Sequence, residues 1–233
     1  MPLVVALAAY PAPAESVGAA DHSAILREAF GAIDKNYLRE WAYTETSVDS
    51  DGTTIGRYDP RRLRGERWAL LSVDGRAPTA EETAEYDAEK YADDQMPDNN
   101  GDDTDSDVEN GVSDMVVTDS LSLIEETDEY WLFSFIPAEE EEGFRDNVVG
   151  TLRIAKAGRY LEFIDLHSSR PFKPQFGVKI REFLTRLSFG PATHDGPIVP
   201  LSIHISIDAR AFLVKSVDER IATTFSDYEY VGE

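Results

Sequence analysis

Residues 201–207 alternate without a break: Leu201, Ile203, Ile205 and Ile207 fall on one parity, and Ser202, His204 and Ser206 on the other. A period of two places successive side chains on opposite faces of a strand, so this stretch reads as a half-buried antiparallel strand with one apolar and one polar face. It has strand-like neighbours. Runs at 148–154, 160–166, 176–189, 198–207, 211–217 and 221–230 follow one another through connections far too short for the crossover that parallel pairing requires. The spacing therefore predicts antiparallel neighbours over most of the second half of the chain.

The first half adds more of the same. Strands are predicted at 37–48, 53–58 and 67–73, with the turn signals Asp51-Gly52 and Asp74-Gly75. Two further strands, 121–126 and 130–136, flank Thr127-Asp128-Glu129. Helical text is scarce. Ile25, Leu26, Ala29, Phe30 and Ile33 form one apolar stripe at helical spacing over 24–33. A charged helix is predicted from Ala80 to about Tyr91, capped by Thr79 with Glu81 and Glu82 in its first turn, and a short acidic one over 139–145. The expected class is mainly β (α+β): a large curved antiparallel sheet or incomplete β-barrel with a few helices covering one face.

The apolar run at 3–9 and the small-x-small site Ala12-x-Ala14 resemble the end of a secretory signal, although no Lys or Arg precedes the run. Residues 1–14 are read as a signal-peptide remnant and 15–233 as a single β-rich domain, so a periplasmic or secreted location is expected. No apolar run reaches the ~20 residues of a membrane-spanning helix, and no transmembrane anchor is expected.

The formal net charge is -23. Such a field repels phosphate backbones, which argues against nucleic acid as a partner. The charge is local. From residue 148 onward, 11 Lys and Arg face 10 Asp and Glu, whereas the segment at about 93–111, DDQMPDNNGDDTDSDVENG, is almost devoid of apolar residues and reads as a mobile acidic insertion. Within it Asp98, Asn100, Asp102 and Glu109 stand at calcium-loop positions one, three, five and twelve. The sixth position, which should be glycine, is Asp103, so calcium is a weak candidate and no other cofactor is expected.

Catalytic patterns are missing. Cysteine is absent, which removes thiolate nucleophiles and thiolate metal sites. His22, His167, His194 and His204 form no metal-ligand spacing, and there is no GxSxG elbow or glycine-rich phosphate loop. No catalytic residue is assigned and the chain is read as a non-enzyme. Bulky apolar residues are the remaining candidates: Trp41, Trp68, Trp131, Phe133, Phe135, Phe163 and Phe183 are many large side chains for one sheet. They either fill a core or line an apolar cavity on the curved face.

The stretches RWALLSVDGRAP at 67–78 and FGVKIREF at 176–183 look like signatures of an exported family. The layout over roughly 22–231, a leading helix and then meandering antiparallel strands broken mid-chain by helices, resembles the periplasmic lipoprotein-carrier superfamily (LolA/LolB carriers and RseB-type sensor domains). That resemblance implies an incomplete barrel capped by helices, with an apolar cavity for acyl chains. The acidic insertion departs from it, and the carriers' lipid-gating arginine matches no position here. The expectation is a binding protein for a lipid or another apolar small molecule. The alternatives are an interaction module that docks an envelope protein through its sheet surface or acidic loop, and an envelope hydrolase with an unrecognised site.

Overall fold

The computed structural model describes residues 22–95, 112–138, 143–174, 177–211 and 215–232. The signal-like segment 1–14 and the calcium candidates Asp98, Asn100, Asp102 and Glu109 lie outside the described residues, as does most of the acidic helix expected at 139–145, whose last residues, 143–145, are in a turn.

Helix α1 (His22–Gly31) and the single turn α2 (Tyr37–Glu40) precede strands β1 (Trp41–Val48), β2 (Thr53–Tyr58) and β3 (Trp68–Val73). Helix α3 (Ala80–Gln95) follows. Then come β4 (Ser122–Glu126), β5 (Tyr130–Phe135), β6 (Val148–Ala155), β7 (Leu161–Ser168), β8 (Val178–Pro191), β9 (Ile198–Ala211) and β10 (Lys215–Tyr230). All ten strands form one antiparallel sheet in the order β3-β2-β1-β10-β9-β8-β7-β6-β5-β4. Two meanders, β1 to β3 and β4 to β10, are thus joined where the first strand meets the last. The sheet is open, with β3 and β4 at its edges. Six register shifts, spread over five of its pairings, mark bulges, which bend and twist the strands they interrupt.

The turn chemistry matches the sequence signal. Asp74 and Gly75 both have positive φ (51° and 75°), and Val73 and Arg76 exchange backbone hydrogen bonds across them. That is the two-residue primed turn that Asp-Gly favours. Two expectations are corrected. The region at 37–48 opens with the α2 turn, and only Trp41–Val48 is strand. The strands expected at 211–217 and 221–230 are not separate: Ala211 ends β9, residues 212–214 lie outside the described residues, and 215–230 run as the single strand β10, with Asp218, Glu219 and Arg220 paired to β9 in mid-strand.

Cross-strand register shows which residues share a face. Leu152 lies opposite Ile164, Ile164 opposite Leu187, Leu187 opposite Ile203, Ile203 opposite Thr223, and Thr223 opposite Ser47. Both long helices pack on this one face. Leu26, Ala29, Phe30 and Ile33 of α1 and its exit fill the area over β5 to β8, against Phe133, Leu152, Ile154, Leu161 and Ile164. At the other end α3 crosses β1 to β3. Among the described residues no helix is long and apolar enough to cross a membrane.

Candidate functional site

The helix-bearing face is filled at its two ends by different chemistry. At the α1 end the filling is aliphatic and phenyl, with Phe133 at 1% exposure and Leu152 at 0%. At the α3 end it is aromatic and hydroxylated. Tyr43 stacks on Tyr58 with ring centroids 5.1 Å apart, and Trp68 and Tyr228 close around them. Two polar tips have partners: the Tyr58 hydroxyl donates to the Leu38 backbone carbonyl (2.7 Å) and the Trp41 indole N–H to the Asp34 carboxylate (3.1 Å). Burial pushes the phenols of Tyr43 and Tyr228 well up from their ordinary value.

Between these ends lies a cleft of about 510 Å³ under α3. Leu70, Ile203, Ile221 and Phe225 supply its apolar floor, and Ser47, Thr54 and Thr223 its polar flecks. The wall is the flank of α3, with Glu82, Glu85, Tyr86, Glu89 and Lys90. Tyr86 holds the helix to the sheet. Its hydroxyl lies 2.0 Å from where a Cβ on Gly56 would be, so only glycine at 56 admits the ring. Among the described residues that buried hydroxyl finds no hydrogen-bond partner, and burial drives its phenol upward. Lys90 makes the second contact: its ammonium sits 4.4 Å from the Trp68 ring centroid and 2.9 Å from the Glu45 carboxylate.

The mouth is acidic. Glu45, Asp49, Glu82, Glu85 and Glu89 line it against Lys90 alone. Glu82 is held by Arg76 and by Thr79, whose backbone N–H it accepts at 2.8 Å. The cleft is therefore amphipathic: apolar side chains on the sheet, with Glu45 among them, face the carboxylates of α3. Nothing in it pairs a nucleophile with a base, and among the described residues no group of three His, Cys, Asp or Glu is placed to hold a metal ion.

The seven candidate aromatics disperse over the sheet. Phe133 and Phe135 are core beneath α1, and Trp131 and Phe183 pack on the edge of that core. Trp41 is buried in the aromatic cluster, and Trp68 lies half-buried under Lys90, beside the cleft. Phe163 is on the opposite face, between the guanidinium groups of Arg153 and Arg186 at 5.0 and 4.7 Å. The cleft floor instead comes from Leu70, Ile203, Ile221 and Phe225, none of them among the seven. Ile203 was visible as an inward position in the alternation of 201–207; that α3 would arch over it was not, because no periodicity reports where a helix lands.

The fold and cleft define a class, an open antiparallel sheet with helices on one face and an amphipathic hollow beneath one of them. Set against known protein families, curated proteins and solved structures, the chain matches none.

Proposed function

We propose that this chain is a non-catalytic binding protein that takes a lipid or another apolar small molecule into the cleft beneath α3, in the periplasm or outside the cell. One observation carries the reading: four large apolar side chains, Leu70, Ile203, Ile221 and Phe225, floor a hollow that their own helix does not fill. Its volume falls within the roughly 300–1,000 Å³ of pockets that hold small ligands. The aliphatic floor suits an acyl or alkyl chain, and the polar rim leaves a head group in water. The resemblance of the sequence layout to the lipoprotein carriers supports the same reading, while the filled α1 end confines it to the α3 end of the face.

Dodecyl maltoside, kept below its micelle concentration, is the probe. Titration calorimetry should show saturable binding by the wild type and at least about a tenfold loss in Ile203→Asp, which puts a carboxylate on the floor. Native mass spectrometry after expression in a bacterial periplasm should show a copurifying apolar molecule. Absence of both saturable binding and a copurifying mass, in a protein whose circular dichroism is native, would falsify the reading.

A further inference from the structure

Strands β9 and β10 outrun their neighbour. Residues 215–224 of β10 pair with β9, but β1 pairs with β10 only from Ala222 onward, because Val48, opposite Ala222, ends it. Residues 215–221 thus have a strand on one side only among the described residues. Alternate backbone N–H and C=O groups of that stretch point to the side β1 leaves, an edge able to accept another strand. A hollow of about 540 Å³ lies at the step where β1 stops, lined by Val48, Leu184, His204, Ser206 and Ala222 among others. Asp218 and Arg220 line it as well, so their side chains face open space at this step.

The side chains select the occupant. Ile221 shares the helix-bearing face with Ile205 and Ile203, so Val217, Glu219 and Ile221 lie on it, while Asp218 and Arg220 lie on the other face. Consider a second copy of β10 laid antiparallel along this edge so that the two sheets continue with faces aligned. Centring on Asp218 sets Asp218 against itself and Val217 against Glu219. Centring on Arg220 sets that arginine against itself. Centring on Glu219 sets Asp218 against Arg220 twice and Val217 against Ile221 twice. Opposed charges and apolar pairs on one face are what stabilise antiparallel strands, and this register supplies both at the cost of one Glu219–Glu219 contact. Asp218 and Arg220 are free to turn toward a partner, at 66% and 78% exposure and 3.5 Å apart within the chain. The stretch also belongs to the charge-balanced part of the sequence, so two copies meet there without opposing their acidic regions. The outer edges lack such a code: β3 is uncharged, and β4 ends in Glu125 and Glu126.

We propose that residues 217–221 of β10 pair with the same residues of a second copy, centred on Glu219, so that the protein dimerises in solution by continuing its sheet.

Sedimentation equilibrium of the full chain over a wide concentration range tests this. The wild type should show a monomer–dimer equilibrium. Asp218→Arg presents two arginines on the pairing face and Arg220→Asp presents two aspartates. Each variant alone should dimerise at least about tenfold more weakly, and their equimolar mixture should recover heterodimer to near the wild-type constant. Glu219→Gln removes the one like-charge contact and should tighten the dimer by about two- to fivefold. All three positions are exposed, and thermal melts confirm that the variants fold. A wild type that stays monomeric throughout, single variants that dimerise as well as it does, or a mixture that fails to recover the dimer would each overturn the proposal.

Discussion

Helices α1 and α3 lie on the same face of the same sheet, yet one seals its half and the other leaves a cleft. The difference is in what each helix turns inward. Over 22–31 the chain offers Leu26, Ala29 and Phe30, all buried, and the exit residue Ile33 seats beside them. Over 80–90 it offers one large ring, Tyr86, and a lysine; the remaining positions are mostly glutamate, aspartate and alanine. An apolar stripe on a helix is drawn onto a sheet until no gap remains. A helix without one is held at points, here Tyr86 over Gly56 and Lys90 over Trp68, and the sheet between those points stays open. In this molecule, space for a ligand is the consequence of a poor amphipathic pattern in α3 set above a good apolar pattern in β9 and β10.

The largest effect should come from the sealed half. Phe133→Ala removes a side chain with 1% exposure from beneath α1, in surroundings too rigid to collapse, and should cost about 3–5 kcal/mol in urea unfolding. A loss below about 1.5 kcal/mol would mean that the α1 half is loosely packed and that the contrast drawn between the halves is unsound.

That contrast was half legible in the sequence. The α1 stripe, the alternation of 201–207 and the Asp74-Gly75 turn each carry a local period or a backbone requirement, and each appears where the residues placed it. The class of fold followed from them. The site did not, for two physical reasons. Bulk does not distinguish a core filler from a pocket wall: Phe133 and Trp68 look alike as letters, but one lies under a sealing helix and the other under Lys90. Register across distant strands is also invisible locally. That Leu70, Ile203 and Phe225 share a floor depends on β1 pairing with β10, nearly two hundred residues apart, and no short-range pattern encodes that pairing. The same blindness split β10 in two, since charged residues on an overhanging edge look like a turn.

The point contacts of α3 can be pressed directly, with a smaller expected effect. Gly56→Ala places a methyl group 2.0 Å from the Tyr86 hydroxyl oxygen and should cost about 1–3 kcal/mol, against the small gain that alanine normally brings to a strand. Tyr86→Phe deletes a buried hydroxyl that has no hydrogen-bond partner among the described residues, so it should be neutral or stabilising by up to about 1 kcal/mol. In the Tyr86→Phe background the nearest ring atom is Cζ, at 2.9 Å, and the cost of Gly56→Ala should fall. Additive costs in this double-mutant cycle would show that Tyr86 does not anchor the helix at Gly56.

The smallest expected effect is a pH dependence confined to the start of α3. Thr79 and Glu82 form a reciprocal cap: the Thr79 hydroxyl accepts the Glu82 backbone N–H (3.2 Å), and the Glu82 carboxylate accepts the Thr79 backbone N–H (2.8 Å). The guanidinium of Arg76 grips the same carboxylate at 2.5 and 2.8 Å, and this grip, more than the cap, holds Glu82 down from an ordinary 4.5 to about 2. A carboxyl lowered by folding binds its proton more readily in the unfolded chain. Its contribution is therefore present in full above about pH 4.5 and lost as pH falls through about 2. Glu82→Gln cannot hold a charge at any pH. The melting-temperature difference between wild type and Glu82→Gln should be constant from neutral pH to about 5, then shrink toward zero near pH 2, and it should narrow in high salt because the pair is exposed. Phe133→Ala deletes an uncharged side chain and should show a pH-independent deficit over the same range. A Glu82→Gln difference that does not change with pH would remove the Arg76–Glu82 pair from the account of how α3 is held and leave the holding to Tyr86 and Lys90.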